Sequence, residues 1–334
     1  MPRHISILFP GQGSQSLGML NHHSTDLLKS YEEEVNNLLG FNIIDVINNG
    51  PIEDLNKTSI TQPAILLASI LDFKNISNKL GLIPDILCGH SLGEYSAMVA
   101  ANAISLQEGL SLVHKRGKLM EKCPKGSMCA VLNVDLDVIN EICSKVEDEI
   151  KTIVTPANLN SPKQIVVSGT EEGVDEVINR LKDCGYKKCI KLKVSVAAHS
   201  KVMSNTLDQF ENELNKINFS LPEYSIIQNV NNKIPKNIDN LKENLLSQLV
   251  IPVQWINTMK KIKEYDGIVI ECGPNKVLSG LAKANGIENV YSTSSEDFFD
   301  KIKEELCVMV MFLFLAHQEE LVIQLLIILP KMIM

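Results

Sequence analysis

The 334-residue chain has no Cys-x-x-Cys pair among its eight cysteines, which are scattered at 88, 123, 129, 143, 184, 189, 272 and 307. No signal peptide precedes its first apolar stretch. Both absences favour a cytoplasmic or equivalent reducing compartment. It has no excess of basic residues either. With 32 Lys and Arg against 40 Asp and Glu the net charge is −8, which argues against a general nucleic-acid binder but leaves local basic clusters free to hold phosphate. Metal-ligand spacings and internal repeats are missing. No apolar run reaches the roughly 18 residues that span a bilayer, so membrane insertion is not expected. What is present, 45% hydrophobic and 22% charged residues, is the composition of a soluble globular protein of one large or two ordinary domains.

A nucleotide fingerprint is lacking too. Arg3 to Phe9 reads as a buried first strand and Pro10-Gly-Gln-Gly-Ser-Gln15 as the turn after it. A dinucleotide site needs Gly or Ala at the sixth position from Gly11, and that position is Ser16. No cofactor is therefore expected. The turn is better suited to offering backbone N–H groups and the Gln12 side chain to an active site beside the sheet.

The chemistry concentrates at Gly89-His-Ser-Leu-Gly-Glu94, between an apolar run at 85–88 and a helical stretch at 95–101. A Gly-x-Ser-x-Gly turn between strand and helix holds its serine on a sharp bend with the hydroxyl exposed at the sheet edge. The helix behind it aims free N–H groups and its positive dipole end at whatever is bonded to Ser91. Two readings stand: Ser91 is a nucleophile, or the segment is a βα turn that needs small residues and uses Ser91 as a cap.

Around this turn the pattern is α/β. Helical periodicity covers 31–39, 62–71, with Pro63 in the first turn, and 105–120. From Met128 the pattern changes to strand (129–134), helix (137–146), strands (153–159 and 164–168), a helix opened by the capping sequence Thr170-Glu-Glu-Gly173, and a strand over 188–196. That order is β-α-β-β-α-β, the ferredoxin-like unit. Its insertion into a larger domain predicts a cleft between the two. A helix from about Ser204 to Leu214, a strand at 225–230, helices at 238–249 and from 251, and a strand at 267–273 complete the larger domain. The expected division is 1–126 with 197–303, an insert at 127–196, and an atypical apolar tail at 306–334.

Ser91 needs a base, and seven histidines are available: 4, 22, 23, 90, 114, 199 and 317. His90 should project away from Ser91, His22 and His23 lie in a polar loop, and His317 lies in the tail. His199, just past a strand end among Ala197, Ala198 and Ser200, is the strongest candidate. No aspartate stands out as a third member, so a dyad oriented by a main-chain carbonyl is expected. Arg116 offers a fork able to bind a carboxylate bidentately; a surface arginine is the competing reading.

Phe9-Pro-Gly-Gln-Gly-Ser-Gln15, Gln62-Pro63, Gly89 to Glu94, Arg116-Gly-Lys-Leu-Met120, Asn158-Leu-Asn-Ser-Pro162, His199-Ser200, Pro252-Val-Gln-Trp255 and Glu271-Cys-Gly-Pro274 occur in this order. As a set they resemble the malonyl-CoA:acyl carrier protein transacylases over about residues 3–300. The resemblance implies an α/β-hydrolase-like domain with parallel sheet core carrying a ferredoxin-like insert. It implies transfer of malonyl from malonyl-CoA to the phosphopantetheine thiol of acyl carrier protein in fatty-acid synthesis, through a malonyl-Ser91 intermediate. By the same resemblance His199 is base then acid, the N–H groups of Gln12 and Leu92 form the oxyanion hole, the Gln248 carbonyl orients the imidazole, and Arg116 pairs with the malonyl carboxylate. A monomer without cofactor or metal is expected. Lys115, Lys118, Lys187, Lys188, Lys191, Lys193 and Lys201 are candidates for a basic surface facing coenzyme A phosphates and an acidic carrier, against the alternative of a solvated face.

Three departures stand out. Ala198 occupies the position before the histidine, where relatives often carry Phe or Ser, and bears on acyl selectivity; Asn275 stands where Gly is usual; and the tail beyond Leu306 matches nothing in the family. Interfacial anchor, docking helix and a segment foreign to the domain are all open for that tail. The competing functions are a serine hydrolase or thioesterase on a related fold, a polyketide-pathway acyltransferase, and a docking subunit with weak catalysis.

Overall fold

Strands that are apolar at consecutive positions must be covered on both faces, and three segments of this chain have that character. A computed structural model describes residues 4–194 and 196–307; the apolar tail after Cys307 lies outside the described residues. In chain order, β1 (Ile5–Phe9) is followed by α1 (Thr25–Leu39), α2 (Ile43–Asn49), α3 (Ile52–Leu55) and α4 (Thr58–Leu80). Next come β2 (Ile86–Gly89), α5 (Gly93–Ala100) and α6 (Leu106–Lys122). A second group holds β3 (Ser127–Leu132), α7 (Leu136–Ile150), β4 (Val154–Ser161), β5 (Gln164–Gly169), α8 (Glu171–Asp183) and β6 (Cys189–Lys191). The chain continues through α9 (Leu207–Leu214), β7 (Ser225–Ile227), α10 (Ile238–Ser247), α11 (Trp255–Glu264), β8 (Ile268–Glu271), α12 (Val277–Ala284) and β9 (Val290–Ser292).

Every residue of β1, β2 and β8 is buried, as expected of parallel strands covered by helices on both faces. They form the centre of a parallel sheet of order β7-β2-β1-β8-β9. Phe9 pairs with Gly89 and Leu8 with Glu271, so the chain leaves β1, β2 and β8 at one edge. The second group forms an antiparallel sheet of order β4-β5-β3-β6, with α7 and α8 covering its own aliphatic cluster, including Val131, Ile139, Val167 and Leu181. The antiparallel sheet meets the segment before α11 where Leu159 N–H donates to the Val253 carbonyl and Val253 N–H to the Ala157 carbonyl.

Several expected boundaries shift. Of the strand expected over 188–196, Cys189–Lys191 pair with β3, and Lys188 and Leu192 still bond to Leu132 and Met128; Val194 N–H then turns back to the Leu192 carbonyl, and residue 195 lies outside the described residues. The helix expected from Ser204 opens as a 3-10 turn over Lys201–Thr206 before α9. Pro63 sits inside α4 rather than in its first turn. A helical proline cannot donate to the carbonyl four residues back, here Ser59, and His114 Nδ1–H of α6 fills the gap at 2.7 Å. Glu121 of α6 also accepts the Ser59 N–H at 2.8 Å. Asn275 takes the left-handed conformation, φ 64°, with its amide donating to the Ser14 carbonyl at 2.6 Å. Asn is among the few residues with a side chain that tolerate this region.

Candidate active site

The turn after β2 is built by close approach. A Cβ on Gly89 would lie 1.9 Å from the Gly93 carbonyl carbon, and one on Gly93 would lie 2.0 Å from the Phe9 carbonyl oxygen. Both positions therefore exclude any side chain. The bend between them places Ser91 at φ 53°, and His199 stands at φ 59°; non-glycine residues in this region cost about 1–3 kcal/mol each and persist where the surroundings impose them. At His199 the imposition is visible: Ser200 Oγ–H closes the turn on the Ala197 carbonyl at 2.7 Å, and Gly126 leaves room for Ala197, whose Cβ would be 2.5 Å from a Cβ there.

Ser91 Oγ and His199 Nε2 are 2.7 Å apart, and His199 Nδ1 is 2.6 Å from the Gln248 carbonyl oxygen. A carbonyl only accepts, so Nδ1 carries the proton and Nε2 presents its lone pair to the serine hydroxyl. Burial, then the charge of Arg116, push the His199 pKa down to about 3. The imidazole is neutral at physiological pH and can accept a proton from Ser91 as its oxygen attacks a carbonyl carbon.

Arg116 is 2% exposed. Its NH1 donates to Gln62 Oε1 at 2.9 Å, its NH2 to Gln248 Oε1 at 3.1 Å, and the guanidinium lies 5.4 Å from the Tyr95 ring centroid. These partners are neutral, which leaves a buried positive charge able to attract an anionic ligand. The surface-arginine reading is excluded. Ser91 N–H donates to Asn229 Oδ1 at 2.7 Å and Gly93 N–H to the His90 carbonyl. Between them, no acceptor among the described residues takes the Leu92 N–H. The Gln12 side chain accepts from Thr58 Oγ1 at 2.9 Å. Ser91, His199, Arg116, Gln12 and Leu92 line one cavity of about 360 Å³; Gln248 stands behind it.

Four residues of this arrangement carry no role in the sequence analysis. Gln62 holds Arg116; the sequence marks it as part of the Gln62-Pro63 motif and as a polar residue in an apolar helix, without a role. Asn229 fixes the Ser91 N–H and donates to the Gly89 carbonyl at 2.6 Å, but its stretch reads as ordinary strand. Glu94, wholly buried, accepts from Gln228 Nε2, Asn229 N–H and Gln248 Nε2 at 3.0, 3.0 and 2.8 Å. Burial raises its pKa to about 7, against the pull of those donors. His90 corrects an expectation. It does not project away from the site but lines the same cavity, with Nε2 2.8 Å from Asn160 Oδ1. Among the candidate lysines, Lys193 lines the cavity, while Lys115 and Lys191 pair with Glu213 and Asp175.

A parallel sheet with a serine, a histidine and a buried arginine converging at its edge defines an acyl-group transferase, and residues 7–312 match the family described as Acyl transferase domain. The chain is 36% identical over 287 residues to the malonyl CoA-acyl carrier protein transacylase of Haemophilus influenzae, a match covering 83% of this chain and 91% of that protein. It superposes with TM-score 0.86 on the crystal structure of malonyl-CoA:acyl carrier protein transacylase from Xanthomonas oryzae pv. oryzae, 34% identical, covering 90% of this chain and 97% of that one. A malonyl-transacylase solved in complex with its type II PKS acyl-carrier protein superposes with TM-score 0.82 at 35% identity, covering 86% and 94%. The chain belongs to the malonyl CoA-acyl carrier protein transacylase family.

Proposed function

We propose that the chain transfers malonyl from malonyl-CoA to the phosphopantetheine thiol of acyl carrier protein in fatty-acid synthesis. The observation that carries this reading is the hydrogen-bonded line Ser91–His199–Gln248 carbonyl with the Arg116 charge in the same cavity. His199 Nε2 takes the Ser91 proton as Oγ attacks the thioester carbonyl carbon. The oxyanion is met by the Leu92 and Gln12 N–H groups, each such donor being worth about 3 kcal/mol of barrier. The C–S bond then breaks, and His199 returns the proton to the coenzyme A sulfur. The carrier thiol regenerates Ser91 by the same steps in reverse. Arg116 holds the free carboxylate throughout.

In this reading residues 1–126 with 197–303 form a hydrolase-like domain and 127–196 a ferredoxin-like insert, in keeping with the strand order β4-β5-β3-β6. Eight free cysteines fit a cytoplasmic setting. Every group invoked comes from one chain, so a monomer suffices. The relative solved with a type II PKS carrier keeps a polyketide carrier as the second reading.

The test is incubation with malonyl-CoA without acceptor, followed by intact and peptide mass spectrometry beside Ser91→Ala. A malonyl adduct on Ser91, discharged by holo carrier protein, is expected; fatty-acid and polyketide carriers compared at equal concentration distinguish the two readings. Rapid malonate release without adduct would instead indicate a hydrolase.

A further inference from the structure

His22 and His23 do not lie free in a polar loop: the fold brings both to Asp72 of α4, and no metal-ligand spacing in the sequence announces it. His22 Nε2 is 2.6 Å and His23 Nε2 2.9 Å from the same oxygen, Asp72 Oδ1. The three atoms lie within 4.8 Å of one another. Asp72 Oδ2 points away and accepts from Thr293 Oγ1 at 2.7 Å. The Asp72 and His23 side chains are 3% and 2% exposed, whereas His22 is 46% exposed. None of these residues lines the Ser91 cavity.

We propose that His22, His23 and Asp72 form a binding site for one divalent transition-metal ion of the zinc class. Two imidazoles and a carboxylate are the borderline donor set that zinc and its neighbours take, whereas calcium and magnesium favour oxygen alone. Both rings now hydrogen-bond to one carboxylate oxygen, and the three candidate donor atoms lie close enough together for one ion to replace the protons that bridge them. On binding, each neutral imidazole carries its proton on Nδ1 and gives the Nε2 lone pair to the ion; Asp72 Oδ1 gives a third. Water completes the set on the exposed His22 side, which is also the entry path. Thr293 supports the carboxylate from behind, as outer hydrogen-bond partners of metal ligands do. The ion ties the 18–24 segment to α4 and to the segment after β9, a structural role separate from acyl transfer.

The full-length chain, freed of metal by chelator, is titrated with zinc chloride by calorimetry and with cobalt chloride by visible absorption. One equivalent is expected to bind, with a cobalt spectrum free of thiolate charge-transfer bands and a rise in melting temperature. His22→Gln and Asp72→Asn should abolish binding, and Thr293→Val should weaken it roughly tenfold; circular dichroism checks that each variant is folded. No binding by the folded wild-type chain overturns the proposal. So does binding untouched by the His22 and Asp72 variants, or a thiolate spectrum that assigns the ion to exposed Cys184 or Cys307. His22 is half-exposed, so His22→Gln is the variant expected to fold, and its binding decides the location where Asp72→Asn does not fold.

Discussion

Arg116 and His199 oppose each other until an anion arrives. The guanidinium is one of the forces that depress the imidazole pKa, so the imidazolium formed during proton transfer is unfavourable beside the arginine. On the proposed role of Arg116, a malonyl carboxylate seated on the fork would cancel that repulsion, and substrate recognition would thereby improve the base. On the same reading an uncharged acyl group would leave the Arg116 fork without a carboxylate and His199 without relief. Arg116→Ala is therefore expected to lower kcat/KM for malonyl-CoA by roughly a hundredfold, the worth of a charge-assisted pair of about 3 kcal/mol. Acetyl loading of Ser91 should be retained or increased. Rates for malonyl- and acetyl-CoA measured side by side check this; equal loss for both would remove the carboxylate-binding role from Arg116.

The crossing of α4 and α6 sets where Arg116 stands. A Cβ on Gly117 would lie 2.5 Å from Ser59 Cα and 2.7 Å from the Thr58 carbonyl oxygen, both backbone atoms with no room to yield. The same contact carries the His114 and Glu121 bonds to Ser59. Gly117→Ala must separate the helices, at a cost of roughly 1–3 kcal/mol, and it shifts the neighbouring guanidinium away from Gln62 and Gln248. Thermal unfolding together with kcat/KM for malonyl-CoA tests this: both should fall, and a variant as stable and active as wild type would refute the packing argument. The crossing also shows what was legible in sequence. The helices, the βα bend at Ser91 and the β-α-β-β-α-β order follow from periodicity and turn chemistry, which are local. The Pro63 displacement depends on a partner far along the chain, His114. The roles of Asn229, Gln62 and Asp72 are not legible for the same reason: each is a polar residue in an apolar stretch, and only the fold supplies its partner.

Across the whole molecule the site is a seam. Leu192, Lys193 and Val194, after β6, line the cavity from one side and the Ser91 bend from the other. Asn160 stitches the two: Oδ1 accepts from His90 Nε2, Nδ2 donates to Gln164 Oε1 at 2.8 Å, and its carbonyl accepts from Asn285 Nδ2 at 2.9 Å. Transfer in place of hydrolysis requires that an acyl-serine meet a thiol before water, so a tight seam is part of the chemistry. Asn160→Ala keeps the carbonyl bond but strands His90 and Gln164, at a cost of about 1–3 kcal/mol, and loosens the antiparallel sheet against the bend. Neither Ser91 nor its base is touched. Malonate release without acceptor should therefore rise several-fold relative to malonyl transfer, with a lower melting temperature. If the protein melts earlier yet partitions the acyl group between water and thiol as wild type does, water exclusion lies within the Ser91 pocket and not at the seam.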